Sequence, residues 1–221
     1  MMHKVVYPAK ALKGQITPPG DKSISHRAVM FSAISEGVSV ITDPLLGEDV
    51  ISTINCFRSM GVKIEQSGQQ LTVHGVGLYG LKAPLGVLDC GNSGTTMRLM
   101  LGILAAQNFA ATLTGDHSLN RRPMARVMEP LKLMGANISE ERKSDTERYL
   151  HVLPAEKKLV GIDFVSKVAS AQIKSCLALA ALYAEGPTSV SEPSLSRDHT
   201  EKLFAAKGVC ITQEGSKLTV F

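Results

Sequence analysis

The basic octet Gly20–Arg27 carries the side chains best suited to chemistry in this sequence. Lys22, Ser23 and Arg27 fall in the first two turns of a helix predicted to follow Pro19. Ser23 is a good N-cap, and it lies four residues before Arg27, so both side chains share one helix face. Free amides at a helix N-terminus, joined by two cations, form a receptor for a carboxylate or a phosphate. The alternative is a solvated basic turn without a ligand.

Two further segments offer anion-binding groups. Asn92–Arg98 has two glycines that permit close approach of the backbone to a ligand, with serine, threonine and free amides as donors. The pair Arg121-Arg122 can clamp a carboxylate or phosphate with two parallel hydrogen bonds. A structural turn and a solvated charge pair are the respective alternatives.

The third part of the chain offers polar groups at two helix starts. Ser170, Ala171 and Gln172 open one predicted helix, and Arg197 precedes another. Gln172 at a helix start can reach a ligand, although a capping role explains it equally well. His199 and Glu201 share a helix surface without a third partner, so we expect no metal site there.

Composition limits the classes of function. Of 221 residues, 44% are hydrophobic and 20% charged, which is typical of a globular protein of one or two domains. A net charge of +4 suits a small anionic substrate, and the absence of a basic stripe interleaved with aromatics argues against nucleic acid. No apolar run is long enough to cross a membrane, and Met1–Ala11 does not resemble a signal peptide, so we expect a cytoplasmic protein.

The four cysteines are widely spaced and form no C-x-x-C pair. Each falls in an apolar segment. We therefore expect small buried hydrophobic residues in a reducing compartment rather than disulfides or metal ligands.

Three sequence markers recur at a period of 70 to 77 residues. Glycines that end a helical pattern stand at Gly61, Gly135 and Gly208. Serines that open one stand at Ser23, Ser93 and Ser170. An acid followed three residues later by leucine occurs at Asp43, Asp116 and Glu192. The same order of markers predicts a threefold internal repeat.

Each unit contains a helix, a strand, a second helix and two closing strands. The first helices are expected at about 23–36, 93–107 and 170–185, and the second at about 48–60, 123–134 and 198–207, with Pro123 in a first turn. Two of the first helices, Met97–Ala106 and Cys176–Tyr183, are apolar nearly all round, which is typical of buried helices. Helices inside and sheets outside are therefore predicted, with helix N-termini converging at one end.

These motifs together resemble the 3-phosphoshikimate 1-carboxyvinyltransferase (EPSP synthase) family. The resemblance rests on five segments in family order: Gly20–Arg27, Asn92–Arg98, Arg121–Pro123, Ser170–Gln172 and Arg197–Glu201. A sister family, UDP-N-acetylglucosamine enolpyruvyltransferase, is the lesser match because it has asparagine where this chain has Ser23.

The resemblance implies transfer of the enolpyruvyl group of phosphoenolpyruvate to the 5-hydroxyl of shikimate 3-phosphate, a step of the shikimate pathway of aromatic amino acid biosynthesis. It implies no metal and no organic cofactor. By position, Lys22 would be catalytic and would touch both substrates. Shikimate 3-phosphate would be held by Lys22, Ser23, Arg27, Ser170, Ala171, Gln172 and Arg197. Phosphoenolpyruvate would be held by Lys22, Asn92, Gly94, Thr95, Arg122 and Gln172. Arg121 is the alternative to Arg122 for this role.

The resemblance covers the N-terminal lobe of the family only, a prism-like α/β domain of three βαβαββ units. Residues 14–221 would form this lobe, with units at about 14–78, 79–155 and 156–221, and residues 1–13 would pack with the C-terminal lobe. Half of an enzyme is expected to have negligible turnover alone, and we expect a monomer without nucleic acid or membrane partners. A non-catalytic anion-binding module is the alternative from another functional class.

Overall fold

The computed structural model describes residues 4–221, whose helices and strands follow one another in three units. Unit one contains α1 (Lys22–Ala33), β1 (Glu36–Thr42), α2 (Glu48–Ser59), β2 (Lys63–Ser67) and β3 (Gln70–Val76). Unit two contains β4 (Leu88–Asp89), α3 (Gly94–Leu104), β5 (Ala111–Thr114), α4 (His117–Asn120), α5 (Ala125–Leu133), β6 (Asn137–Arg142) and β7 (Arg148–Leu153). Unit three contains β8 (Asp163–Val165), α6 (Ala171–Ala181), β9 (Thr188–Ser191), α7 (His199–Ala206), β10 (Ile211–Glu214) and β11 (Lys217–Val220).

Each unit forms its own sheet. The strand orders are β1-β3-β2, β4-β5-β7-β6 and β8-β9-β11-β10. In units two and three a leading strand pairs in parallel with the next strand, Leu88 lying opposite Leu113 and Phe164 opposite Val190. Within the described residues, unit one has no leading strand, so the prediction of three complete βαβαββ units is wrong there. The residues before α1 include Pro18 and Pro19, which lack the amide hydrogen that a strand ladder requires.

The first helix of each unit lies inside the domain and the sheets lie outside, as predicted. Almost every residue of α3 and α6 is buried. These two helices pack closely at Gly102, where an added Cβ would lie 2.2 Å from the carbonyl oxygen of Cys176. The centre of the core thus contains two helices, α3 and α6, that are buried on nearly all sides, while α2, α5 and α7 each bury one face.

Helix ends follow the sequence markers closely. Gly61, Gly135 and Gly208 have φ of 89°, 98° and 75°, the left-handed conformation that favours glycine after a helix. Ser93 and Ser170 cap α3 and α6 through hydrogen bonds from the amides three residues ahead. Ser23 does not cap α1, because the Asp21 carboxylate accepts the amide of Ile24 at 2.8 Å and the helix begins at Lys22.

Two other predictions are wrong in detail. In unit two a short helix, α4, forms before the range predicted for the second helix, and Pro123 precedes α5 rather than lying in its first turn. Cys56, Cys90 and Cys176 are buried, and burial raises the pKa of Cys176 to about 12. Cys210 is exposed, because its neighbour Val209 packs against the core instead. Over residues 4–221, no helix is both long and apolar enough to cross a membrane.

Candidate functional site

The N-termini of the buried helices α1, α3 and α6 meet at one end of the domain. Arg197, in the loop before α7, donates from Nη1 to the Oγ atom of Ser23 at 3.0 Å and joins unit three to α1. Gln172 donates from Nε2 to Thr95 Oγ1 at 3.1 Å and joins α6 to α3. Residues predicted from three separate parts of the sequence therefore surround one opening, which we call the mouth. Ser23, Thr95, Gln172 and Arg197 lie around it, and the positive ends of the three helix dipoles point towards it.

Lys22 lies half exposed at the start of α1. Its ammonium group forms an ion pair with the carboxylate of Asp49, in the first turn of α2. Asp49 thereby neutralises one cation of the mouth and fixes its position. A bound anion that contacts Lys22 competes directly with this carboxylate for the ammonium group.

Arg27 is buried beneath the same mouth. Its guanidinium donates to Thr200 Oγ1 at 2.8 Å, to Ser175 Oγ at 2.7 Å and to the carbonyl of Ser23 at 3.0 Å. Burial, followed by repulsion from Arg197, lowers the pKa of Arg27 to about 10. The side chain is positively charged at neutral pH. It holds the Ser23 backbone in place through the hydrogen bond to its carbonyl, and it adds positive potential to the mouth.

A polar depression of 370 Å³ opens between the α6 N-terminus and the loop before α7. Its lining includes Arg126, Ser170, Ala171, Gln172, Ser196 and Arg197. Two arginines and the free amides of a helix N-terminus make this depression a receptor for a doubly charged phosphate.

A buried ion cluster lies behind this depression. Lys174 lies 3.0 Å from a carboxylate oxygen of Glu192 and 2.6 Å from one of Glu201. Glu192 also accepts the amide of Ser170 at 2.6 Å and the hydroxyl of Ser196 at 2.7 Å. Burial opposes ionisation of Glu192, but these hydrogen bonds and Lys174 together outweigh it and lower its pKa. Glu192 thus positions two walls of the depression.

Asn92 and Arg122 are joined directly at the α3 end of the mouth. Arg122 donates from Nη2 to Asn92 Oδ1 at 2.6 Å, and Asn92 donates to Asp116 at 2.7 Å. Gly94 leaves space for the guanidinium groups, since an added Cβ would lie 2.7 Å from Arg98 Nη1 and 3.4 Å from Arg122 Nη1. Absence of a side chain at Gly94 therefore permits two cations to approach the helix terminus.

Four arginines lie close together near the N-terminus of α3: Arg98, Arg122, Arg126 and Arg148. Arg98 donates to Gln172 Oε1 at 2.8 Å and to the carbonyl of Pro123 at 3.2 Å. Burial, and then repulsion from Arg126, Arg122 and Arg148, lowers the pKa of Arg98 to about 10. Such repulsion between fixed cations is relieved when an anion binds among them.

A chain of buried hydrogen bonds links α1, α2 and α3 beneath Lys22. The Nδ1 atom of His26 lies 2.7 Å from Thr53 Oγ1, which lies 2.6 Å from Thr96 Oγ1. Thr96 in turn donates to the α3 cap, Ser93, at 2.7 Å. Burial lowers the pKa of His26 to about 4, so the imidazole is neutral at physiological pH. The role of this histidine is therefore structural.

The structure brings together every predicted site residue except Arg121, the alternative to Arg122. Arg121 is exposed, and it is Arg122 that contacts Asn92. Sequence reasoning missed Asp49, Arg98, Arg126 and Glu192. Arg98 lay inside a segment already identified, and an acid in a helix first turn was a signal for Asp49. The sequence marked Glu192 only as part of the repeat, because its contacts with Lys174 and Ser170 depend on packing against α6. Among residues 4–221, no group of three or more His, Cys, Asp or Glu is arranged to hold a metal ion.

Comparisons with known proteins find clear relatives of this chain. A sequence model of the EPSP synthase (3-phosphoshikimate 1-carboxyvinyltransferase) family matches residues 6–221. A 3-phosphoshikimate 1-carboxyvinyltransferase of Geobacter sp. strain M21 is 52% identical over 208 residues, 94% of this chain and 48% of that protein. One of Brevibacillus brevis is 51% identical over 215 residues, 97% of this chain and 50% of that protein.

A solved structure gives the same result. The EPSP synthase from Acinetobacter baumannii superposes with a TM-score of 0.89 at 48% sequence identity, over 95% of this chain and 48% of that chain. The chain thus spans about half the length of the curated relatives it matches.

Proposed function

The chain belongs to the EPSP synthase family, and from this we propose that it forms one half, the N-terminal lobe, of an enzyme that transfers the enolpyruvyl group of phosphoenolpyruvate to the 5-hydroxyl of shikimate 3-phosphate. The observation that carries the proposal is the common mouth of α1, α3 and α6, which Lys22, Arg122 and Arg197 surround. Two phosphorylated anions repel one another, and fixed cations with helix N-termini offset that repulsion.

Shikimate 3-phosphate occupies the α6 side of the mouth in this proposal. Ser170, Ala171, Gln172 and Arg197 hold the phosphate in the depression that they line. Ser23 binds the ring carboxylate, and Arg27 stabilises the same negative charge from beneath. Lys22 lies between this position and the second substrate.

Phosphoenolpyruvate occupies the α3 side. Arg122 and Asn92, already hydrogen-bonded to one another, present donors on the helix N-terminus, and Gly94 and Thr95 supply backbone amides. Gln172 contacts both halves of the site through Thr95 and Arg98.

The proposed reaction adds the 5-hydroxyl oxygen to C2 of phosphoenolpyruvate, as the hydroxyl loses its proton and the methylene carbon of phosphoenolpyruvate gains one. The resulting tetrahedral intermediate loses phosphate from C2 and a proton from the new methyl group, which forms the enol ether of the product. Lys22 is the catalytic group that this chain contributes, because its ammonium lies where both substrates meet. The remaining acids, bases and cations come from the other half of the enzyme, so the isolated chain has negligible turnover.

The organisation of the chain follows from the same proposal. The lobe comprises residues 14–221 as an internal repeat of units at about 14–78, 79–155 and 156–221. Residues 1–13 pack with the other half, and Met1–His3 of that segment lie outside the described residues. The complete enzyme is a cytoplasmic monomer that requires no cofactor.

A chimaera tests the function directly. The chain is joined to the remaining half of the Acinetobacter baumannii EPSP synthase, and phosphate release is measured with both substrates. Turnover that requires shikimate 3-phosphate and is lost in Lys22→Ala supports the proposal. Turnover with UDP-N-acetylglucosamine instead contradicts it. Tight binding of shikimate 3-phosphate by the isolated chain, with no turnover in the chimaera, favours a non-catalytic anion-binding module.

A further inference from the structure

Arg148, the first residue of β7, is a charged side chain in the core that the proposed reaction does not use. Its side chain is 0% exposed. Burial of a cation is costly unless hydrogen bonds satisfy its donors. The groups that accept these hydrogen bonds therefore indicate what the guanidinium does.

The Arg148 guanidinium donates to two backbone carbonyls at the C-terminal end of α4. Nη1 donates to the carbonyl of Arg122 at 2.8 Å, and Nη2 donates to that of Leu119 at 3.1 Å. The Leu119 carbonyl also accepts the amide of Arg122 at 3.0 Å. Carbonyls at a helix end lack partners within the helix, and a charged donor binds them more strongly than a neutral one. Arg148 thus fixes the backbone of the turn that carries Arg122.

An ion pair does not account for the burial of Arg148. The carboxylate of Glu140, on β6, lies 3.7 Å from Nη1 of Arg148 and only 2.9 Å from Nε of Arg142. Glu140 is also partly exposed to solvent, which weakens its attraction for either cation. The two short hydrogen bonds to the loop carbonyls are therefore the stronger contacts of Arg148.

The hairpin that contains Arg148 holds the same loop at a second point. Asn120 is buried and donates from Nδ2 to the carbonyls of Gly115 at 2.7 Å and Thr146 at 3.1 Å. The Thr114 hydroxyl donates to the carbonyl of Arg148 at 2.7 Å. The loop that leads to α5 is therefore attached to this hairpin at both of its ends.

We propose that Arg148 is a positioning residue for phosphoenolpyruvate, because it holds the backbone from which Arg122 reaches Asn92. The inference rests on the proposed function, in which Arg122 and Asn92 bind phosphoenolpyruvate. Arg148 is fully buried, so it acts through Arg122 and not by contact with the substrate. The Arg122 guanidinium lies 2.6 Å from Asn92 Oδ1. A displacement of about 1 Å at such a group can cost about 100-fold in activity, so the position of its backbone matters.

The loop that carries Arg197 is held by different groups. The Ser216 hydroxyl, in the turn between β10 and β11, donates to the carbonyl of Glu192 at 2.6 Å. The Glu192 carboxylate in turn accepts the hydroxyl of Ser196, next to Arg197, at 2.7 Å. Loss of Arg148 should therefore affect the phosphoenolpyruvate side of the mouth and leave the shikimate 3-phosphate side intact.

The first test uses the chain itself and needs no substrate. In Arg148→Met, which removes the donors but keeps a long side chain, amide hydrogen exchange at Arg122 should become at least about tenfold faster than in the wild type. Exchange in β3, in unit one, should change less. Arg142→Met is the matched control, since Arg142 is exposed and lies directly opposite Arg148 on β6. Unchanged exchange at Arg122, or the same acceleration in β3 or in the control, would overturn the proposal.

The second test measures steady-state kinetics in the chimaera with the Acinetobacter baumannii half. Arg148→Met should raise the KM for phosphoenolpyruvate at least about tenfold and leave the KM for shikimate 3-phosphate within about twofold of the wild-type value. Arg148→Lys keeps the charge but not the paired donors, so its KM for phosphoenolpyruvate should be intermediate. This variant also decides the matter if Arg148→Met does not fold.

Two kinetic results contradict the inference. Equal rises of both KM values would show a merely structural role, and a wild-type KM for phosphoenolpyruvate in Arg148→Lys would show that only the charge matters. A parent chimaera without turnover counts instead against the proposed function, and hydrogen exchange at Arg122 then still decides whether Arg148 positions it.

Discussion

The Arg197 guanidinium donates a 3.0 Å hydrogen bond to the Ser23 hydroxyl across a sequence separation of 174 residues. This contact connects unit three to unit one, because it joins the loop before α7 to the first turn of α1. It also aligns a cation with a helix N-terminus, which is the arrangement that anion binding requires. The proposed site is therefore a property of the assembled domain and of no single unit.

Removal of Arg197 should weaken binding of shikimate 3-phosphate. A charge-assisted hydrogen bond contributes about 1.5–3 kcal/mol. Arg197→Ala should therefore raise the Kd of the chimaera for shikimate 3-phosphate about 10- to 100-fold, as measured by calorimetry. Lys202→Ala is the matched control, since Lys202 is an exposed cation on α7 that pairs with Asp198. An equal effect of both variants would show that only net charge matters.

A methyl group at Gly94 should affect the phosphoenolpyruvate side alone. In Gly94→Ala the Cβ displaces the guanidinium groups of Arg98 and Arg122, and we expect phosphoenolpyruvate to bind about tenfold more weakly in the chimaera. Both neighbours are flexible side-chain ends, so the Tm should change little. Gly86→Ala, where an added Cβ meets nothing within 4 Å, serves as control. Unchanged affinity in Gly94→Ala would contradict the assignment.

Loss of the buried cation Lys174 should destabilise the fold. Lys174→Met leaves the carboxylates of Glu192 and Glu201 buried without a counter-ion, which costs about 3–5 kcal/mol of unfolding free energy. Urea denaturation measures this directly. Lys202→Met, at the exposed pair, should cost less than about 1 kcal/mol. Similar values for the two variants would rule out a structural role for the cluster.

The stability of the domain should fall as the pH drops from about 6.5 to about 4 because of His26. Burial lowers the pKa of this group in the folded chain to about 4, from 6.5 when unfolded. The unfolded chain therefore binds more protons than the folded chain in this window. The contribution of neutral His26 to the free energy of unfolding is complete only above pH 6.5. Between pH 7 and 5 the expected loss is about 2 kcal/mol.

The measurement for His26 is urea denaturation at both pH values. In His26→Gln, which retains a hydrogen-bonding group beside Thr53, the loss between pH 7 and 5 should shrink to the share of the other titrating groups. A wild-type profile that matches the variant would show that the imidazole titrates normally in the folded chain.

Local features of the sequence predicted the elements that position the site. The glycines at 61, 135 and 208 marked helix ends correctly because only a left-handed residue stops a helix in that way. The serines at 93 and 170 marked helix starts because their hydroxyls satisfy free amides. The same reasoning failed at Ser23, where Asp21, two residues earlier, provides a stronger acceptor.

Long-range packing decided what the sequence left open. Arg98 lies in a segment that the sequence identified, but its hydrogen bond to Gln172 forms only where α3 packs against α6. Glu192 served as a repeat marker, but its hydrogen bond with the Ser170 amide forms only where β9 packs against α6. Arg126 carries no local signal, and it lines the depression only in the folded domain.

The sequence alone thus determined which helices form, where most of them begin and end, and that their N-termini carry anion-binding residues, since these properties depend on hydrogen bonds between near neighbours. Only the tertiary structure decided that Ser23, Arg122, Gln172 and Arg197 surround one mouth and that Arg27 lies beneath it. Those properties depend on burial and on contacts between residues 30 to 174 positions apart, which no local pattern encodes.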